Sequence, residues 1–221
     1  MKTAILHKYR HIHRTRSFYL RLITSLALFT VSLVINYCAN NYTALHASNP
    51  VNDLLLDNIP TLNVAFIYFW GPIMLVIFIL LLTLHSPNKV LFILKSVALI
   101  ILVRSFFMIL THIGAPINRS EIPDNTLLEK LFAGSGDDLF FSGHTAFPFL
   151  MALLYWKEKY IRYTFLAITI LLATVVIIAH VHYSIDVFSA FFITYGTLHI
   201  SMFLFKKDYQ LFLEPIPPLE S

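Results

Sequence analysis

The chain has 221 residues, of which 57% are hydrophobic and 13% are charged, and its mean hydropathy is +0.72. This composition excludes an ordinary soluble domain, and the excess of 16 Lys and Arg over 12 Asp and Glu is too small to indicate a nucleic-acid partner. The single cysteine, Cys38, excludes a disulfide framework and a cysteine-based zinc site. The sequence therefore predicts one integral membrane domain.

Six apolar segments, each bounded by polar residues, are predicted to be membrane-spanning helices. A helix needs about 20 mostly apolar residues to cross a bilayer, and the predicted spans are residues 17–37, 62–84, 90–111, 139–156, 161–179 and 182–205. The turn between the last two spans, around His180 to Ser184, has to be tight. The predicted fold is an all-α integral membrane protein, a six-transmembrane-helix bundle over residues 17–205 with a basic tail (1–16) before it and a short tail (206–221) after it.

The positions of the Lys and Arg residues predict the orientation of this bundle. Short loops rich in Lys and Arg stay preferentially on the cytoplasmic side. With six spans, the four most basic segments share one side: the N-terminal tail, the start of span three, the loop between spans four and five, and the residues after span six. We therefore expect both termini to be cytoplasmic and the acidic loops at residues 38–61 and 112–138 to lie on the outer side.

Among the ionisable residues inside the predicted spans, four stand out because they lie near the outer face: Arg104, His144, His182 and Asp186. An ionisable side chain is costly in hydrocarbon and usually faces a cavity or a partner, so each of the four is a candidate functional residue. Their common depth predicts a single polar site at the outer side of the bundle.

The spacing of these residues indicates phosphoryl-transfer chemistry. His182 and Asp186 are four residues apart, which places them on one helix face if the last span begins near His182. A carboxylate beside one imidazole nitrogen makes the other nitrogen a better nucleophile or base. His144 follows Ser142 and Gly143, where a helix start offers free amides to an anion.

The motifs FFSGHT and AHVHYSIDVFSAFFIT, together with RSFFMILTHIGAP in the preceding span, resemble the sphingomyelin synthase branch of the type 2 phosphatidic acid phosphatase superfamily. The resemblance covers about residues 50–205 and implies a His, His, Asp triad formed by His144, His182 and Asp186. It implies that His182 forms a phosphohistidine, that His144 exchanges protons, and that the reaction transfers phosphocholine or phosphoethanolamine to a lipid hydroxyl such as that of ceramide or diacylglycerol.

The sequence also suggests residues that bind the substrate. Arg104 is suited to the phosphate oxygens because its guanidinium is a planar fork of donors, and the helix start at Ser142 and Gly143 is suited to an anion. Acidic and aromatic residues near the site suit a headgroup cation. The predicted substrate-binding residues are Arg104, Asp137, Asp138, Ser142, Gly143, His180 and Tyr183.

No metal and no cofactor is predicted, because cationic and amide donors supply the charge stabilisation. The expected partners are a phospholipid donor and a lipid acceptor in the membrane, and a homo-oligomer is left open. The expected location is a bacterial inner membrane, or the Golgi or plasma membrane in a eukaryote.

Three other functions remain open from the sequence. The first is a lipid phosphate phosphatase or a phospholipase-C-like hydrolase that uses the same histidines with water as the acceptor. The second, from a different class, is a membrane protein whose histidines bind haem or a transition metal. The third is a non-catalytic lipid-binding scaffold, which would show no turnover with any donor.

Overall fold

The computed structural model describes residues 16–120 and 140–214. These residues form seven α-helices and two short 3-10 helices, Leu56–Asn58 and Pro87–Lys89, and they contain no strand. The α-helices are α1 (Arg16–His46), α2 (Ala65–His85), α3 (Val90–Leu110), α4 (Gly143–Leu154), α5 (Lys159–Ile178), α6 (Ser184–Leu204) and α7 (Lys206–Leu213). The prediction of an all-helical fold is thus confirmed for this part of the chain.

Five of these helices, α1, α2, α3, α5 and α6, are long and apolar enough to cross a membrane. This supports an integral membrane protein. The predicted fourth span, residues 139–156, contains only the 12-residue helix α4, which is shorter than the roughly 20 residues that cross a bilayer. The count of six spans is therefore not confirmed.

α1 continues well beyond its predicted end at Tyr37, to His46. Its C-terminal half carries polar residues that are buried, including Asn36, Asn40 and Thr43. The Ser105 hydroxyl of α3 lies 3.4 Å from the Asn36 side-chain oxygen. The extra turns continue the face on which α1 packs against α3, a long-range contact that local hydropathy does not reveal.

α4 lies at the centre of the molecule. Its side chains Leu150, Met151 and Ala152 are fully buried and belong to the main apolar cluster, and the helix packs against both α5 and α6. A short helix surrounded by longer ones is held in place on several sides. Residues at its N-terminus are therefore fixed relative to the neighbouring helices.

Basic and acidic side chains meet at one end of the bundle. The buried carboxylate of Asp208 in α7 lies 2.6 Å from Lys95 Nζ of α3 and 3.4 Å from Arg21 of α1. Lys89, just before α3, pairs with Glu158, just before α5. Three of the four basic segments predicted to share one side, namely the start of span three, the loop between spans four and five and the residues after span six, thus lie at one end together with the start of α1. The residues that follow span six form a packed helix rather than a loose tail.

Backbone hydrogen bonds join the loops at the opposite end. Leu62 N, in the loop before α2, donates to Ile178 O, and Ser120 N, in the segment after α3, donates to Ala179 O. Both segments are therefore tied to the end of α5. Ser48 N donates to His112 O, which ties the end of α1 to the segment after α3. This end carries the residues predicted to form the functional site, and we refer to it as the outer end.

Candidate active site

The start of α4 is shaped by Arg104. Arg104 lies in α3, is 5% exposed, and donates through Nε to the carbonyl oxygen of Phe141 at 3.1 Å. The backbone of Ser142 is extended, with φ −63° and ψ 120°, so the helix begins at Gly143. The apolar residues before it extend the hydropathy signal but not the helix, which is why the predicted start at residue 139 was too early.

The helix of the last span begins two residues after the predicted start of that span, His182. Tyr183 has extended backbone, with φ −66° and ψ 156°, and α6 begins at Ser184. The Asp186 side chain accepts the Tyr183 backbone N–H at 3.1 Å, so the carboxylate caps its own helix and His182 lies in the turn before it. The predicted tight turn is confirmed, and within it His180 has a φ of 52°.

His182 and Asp186 nevertheless lie together, with His182 Nδ1 3.4 Å from Asp186 Oδ2. Both side chains are almost completely buried, at 3% and 1% exposure. The contact is longer than most N–H···O hydrogen bonds, and catalytic hydrogen bonds often tighten only in the substrate complex. With Nδ1 directed at the carboxylate, Nε2 is the ring nitrogen left for a substrate.

The N-termini of α4 and α6 meet at this site. Ser142 N donates to the backbone oxygen of Asp186 at 3.0 Å. This hydrogen bond joins the residue that precedes α4 to the first turn of α6, so His144 and Asp186 are held near the same junction. Two helix N-termini carry partial positive charge and unpaired amides, an arrangement that favours an anion.

His144 is positioned by α2. Its Nε2 lies 3.2 Å from the backbone oxygen of Tyr68, and its ring stacks on the Tyr68 ring at a centroid distance of 4.4 Å. A carbonyl oxygen only accepts hydrogen bonds, so Nε2 carries the proton, and in the neutral ring Nδ1 is the basic nitrogen. Sequence reasoning did not identify Tyr68, because an aromatic residue in an apolar span carries no distinguishing signal.

Several buried polar atoms around the junction have no hydrogen-bond partner among the described residues: Ser142 Oγ, Thr145 Oγ1 and Asp186 Oδ1. All three side chains are at most 1% exposed. Buried polar groups are nearly always hydrogen-bonded in proteins, and an unsatisfied one costs about 1–3 kcal/mol. Their concentration at one place is typical of a site that binds a polar ligand.

Asp53, in the loop between α1 and α2, supports the start of α6 from outside the helix. Its Oδ2 accepts the Ser184 amide at 2.7 Å, and its Oδ1 accepts the amides of Leu55 and Leu56. Burial alone raises the pKa of the Asp53 carboxyl, but these hydrogen bonds, with one from the Ser184 hydroxyl, outweigh burial and hold the pKa below its ordinary value. No local sequence pattern marks this residue.

The structure divides the predicted substrate-binding residues into two groups. Arg104, Ser142 and Gly143 lie at the junction with the triad. His180 and Tyr183 instead line a cavity of about 370 Å³, together with residues of the loop before α2 and the segment after α3. Asp137 and Asp138 lie outside the described residues.

In the described ranges, no three His, Cys, Asp or Glu side chains are close enough together to hold a metal ion. What the junction offers a ligand is therefore a buried guanidinium, helix amides, hydroxyl groups and two imidazole rings. Together these groups suit a phosphate group and the proton transfers that accompany its displacement.

Residues 136–203 match the family model described as PAP2 superfamily C-terminal. The match spans α4, α5 and most of α6, and it includes His144, His182 and Asp186. It supports the type 2 phosphatidic acid phosphatase superfamily and, with it, lipid chemistry of the phosphatase or phosphotransferase type. No curated protein and no solved structure matches the chain significantly.

Proposed function

We propose that this protein transfers the headgroup phosphate of a phospholipid to the hydroxyl of a second lipid, through a phosphohistidine at His182. The observation that carries the proposal is the buried His182–Asp186 pair at the meeting point of two helix N-termini. The family match over residues 136–203 supports this class of chemistry, and the resemblance to sphingomyelin synthases supports ceramide or diacylglycerol as the acceptor.

In the first half of the reaction, His182 Nε2 attacks the phosphorus of the phosphodiester and the bond from phosphorus to the diacylglycerol oxygen breaks. His144 starts as the imidazolium and gives its Nδ1 proton to that oxygen, while Nε2 keeps its hydrogen bond to the Tyr68 carbonyl and the headgroup phosphate stays on His182. Asp186 beside Nδ1 stabilises the positive charge that develops on the His182 ring. Arg104 and the amides at the start of α4 stabilise the charge on the phosphate oxygens.

In the second half, the acceptor hydroxyl gives its proton to His144 and its oxygen attacks the phosphohistidine. The phosphorus–nitrogen bond breaks, which restores His182 and releases the new phospholipid. The same histidine acts first as an acid and then as a base, so both groups return to their starting protonation states.

The burial of the pair supports transfer over hydrolysis. His182 and Asp186 are 3% and 1% exposed, and a phosphohistidine in a site closed to water is protected from hydrolysis until a lipid hydroxyl arrives. Phosphatase or phospholipase activity at the same residues is the alternative outcome of the experiment below.

The test is product analysis with purified protein and labelled phosphatidylcholine or phosphatidylethanolamine, with and without ceramide or diacylglycerol. We expect a new phospholipid that appears only when the acceptor is present. His182→Ala should abolish it, and His144→Ala and Asp186→Asn should each lower kcat by about 10²–10⁴-fold. Arg104→Lys keeps the charge but loses the two-donor fork, so its kcat/KM should fall at least about tenfold.

The matched control is His199→Ala, since His199 is an exposed histidine in the opposite half of α6. Full transfer by His182→Ala or Asp186→Asn would contradict the assignment of these residues. Release of free phosphate or a free phosphorylated headgroup without any new lipid would show that the protein is a hydrolase rather than a transferase.

A further inference from the structure

The outer end contains a cavity of about 370 Å³ whose lining residues take part in no step of the proposed reaction. Its walls come from the loop before α2, the segment after α3 and the turn before α6, and its polar lining residues are Asp53, Asp57, Thr61, Asn118, His180 and Tyr183. Pockets for small ligands are typically about 300–1,000 Å³, so this cavity has room for a small ligand. Its lining is about as polar as it is apolar, and the apolar part includes Val51, Leu56 and Ile117.

The cavity is built into the fold and held by hydrogen bonds between its walls. Thr61 Oγ1 donates to the Asn118 carbonyl at 2.9 Å, and the Tyr183 hydroxyl donates to the Gly114 carbonyl at 2.8 Å. Val51 N in turn donates to the Tyr183 hydroxyl at 3.1 Å. Because these contacts link three separate segments, the shape of the cavity exists before a ligand binds.

His180 provides the evidence that the cavity takes a ligand. It lines the cavity and is 4% exposed, and its Nε2 has no hydrogen-bond partner among the described residues. Its Nδ1 lies 3.2 Å from Thr61 Oγ1, whose only proton goes to Asn118. Nδ1 must therefore donate, which leaves Nε2 of the neutral ring as a buried acceptor that requires a donor from a ligand.

The charged residues of the cavity determine which kind of hydrogen-bond donor a ligand must bring. Two carboxylates, Asp53 and Asp57, line it, and the described lining residues include no Lys or Arg. Asp53 uses both oxygens for backbone amides. Among the described residues, the Asp57 side chain accepts one hydrogen bond, from the Asp53 amide to Oδ2, and Asp57 is exposed. A ligand that offers N–H donors and a positive charge satisfies both Asp57 and His180.

We propose that this cavity binds a primary ammonium group, so that the preferred donor has an ethanolamine-type headgroup. A quaternary ammonium has no N–H to give to His180 Nε2, and a serine-type headgroup brings a carboxylate toward two aspartates. His180 of the cavity lies two residues before His182, and Asp53 of the cavity accepts the amide of Ser184, two residues after His182. The cavity and the catalytic pair therefore share one turn. The inference rests on the proposed function only for the statement that the ligand is a donor lipid.

Binding without turnover is the first part of the test. In the His182→Ala protein, calorimetry with O-phosphoethanolamine and with phosphocholine should show at least tenfold tighter binding of the former, since a hydrogen bond to a charged group changes affinity by about ten- to a hundredfold. Asp57→Asn and His180→Asn should each remove this preference without weakening phosphocholine. Asn is chosen at position 180 because it tolerates a positive φ.

Turnover is the second part, and His46→Asn is the matched control, because His46 is an exposed outer-end histidine outside the cavity lining. The ratio of kcat/KM for phosphatidylethanolamine to that for phosphatidylcholine should exceed about ten in the unaltered protein and His46→Asn and fall toward one in Asp57→Asn. Equal binding of the two headgroups, or a preference that survives both cavity substitutions, overturns the ammonium site. Selective binding without any lipid transfer overturns only the proposed function.

Discussion

At the scale of single residues, Asp186 performs two tasks with one carboxylate. Its Oδ2 accepts the Tyr183 amide at 3.1 Å and faces His182 Nδ1 at 3.4 Å. The first contact begins α6, and the second orients His182, the proposed nucleophile. A change at Asp186 therefore affects the helix start and the chemistry together, and Asp186→Asn is the mildest substitution because its amide oxygen still accepts the Tyr183 amide.

The sequence could identify the candidate catalytic residues but not the residues that hold them in place. Arg104, His144, His182 and Asp186 stand out because ionisable groups are rare in apolar spans. Asp53 and Thr61 lie in a polar loop where such residues are ordinary. Their roles depend on contacts with residues more than 100 positions away in the chain, which no local pattern contains.

Asp53→Asn is predicted to destabilise the protein in a pH-dependent way. The folded protein holds the Asp53 pKa below its ordinary value of 3.8, so the ionised carboxylate stabilises the fold above that pH and the contribution is lost as pH falls through the lowered pKa. The variant should be about 1–2 kcal/mol less stable at pH 7, as for loss of a helix cap. Thermal unfolding between pH 7 and pH 2 should show that the difference in stability between the variant and the unaltered protein shrinks in acid. A difference that stays constant with pH would contradict the stabilising role of the ionised Asp53 carboxylate.

At the scale of elements, the starts and ends of helices were harder to predict than their existence. α2, α3 and α5 lie close to the apolar segments that predict them. α4 and α6 both begin later than predicted, because tertiary and capping hydrogen bonds hold the residues before them in extended backbone. Arg104 binds the Phe141 carbonyl ahead of α4, and Asp186 binds the Tyr183 amide ahead of α6.

Two glycines give a matched test of how tightly the outer segments pack. A Cβ at Gly114 would lie 2.2 Å from the Ser48 carbonyl oxygen, whereas a Cβ at Gly196 in α6 meets nothing within 4 Å. Gly114→Ala must move backbone, so we expect a loss of about 1–3 kcal/mol. Gly196→Ala should gain about 0.5–1 kcal/mol because alanine favours a helix interior.

The measurement for both glycine variants is thermal unfolding in the same detergent. Gly114→Ala should also lower transfer activity, since the Gly114 carbonyl binds the hydroxyl of Tyr183 beside the catalytic turn. Equal stability of the two variants would show that the Ser48 and Gly114 segments leave room for a methyl group and do not pack in close contact.

At the scale of the whole molecule, one polar end holds the helices together and the other holds the site. α7 inserts Asp208 between Lys95 of α3 and Arg21 of α1. The side chains of Asp208 and Lys95 are only 4% and 12% exposed. Positive-inside reasoning predicts that these segments share a side, but hydropathy gives no indication that the final residues form a packed helix.

Asp208→Asn is predicted to cost about 3–5 kcal/mol in the free energy of unfolding, because it leaves buried Lys95 without its counter-charge. Adding Lys95→Met should recover a large part of the loss, since no uncompensated buried ammonium then remains. Lys207→Gln, an exposed change in the same helix, is the control. Unfolding curves that place Asp208→Asn level with Lys207→Gln would show that the cluster contributes little to stability.

The shortness of α4 also bears on how a lipid reaches the site. Twelve helical residues rise about 18 Å, whereas the hydrocarbon core of a bilayer is about 30 Å thick. No residue of α4 is exposed, so the longer helices around it border the bilayer, and the 21 residues of α6, which begin at the same junction, rise about 31 Å. The length of α6 therefore keeps the junction near one surface of the membrane, where a donor lipid can present its phosphate while its chains stay among their neighbours.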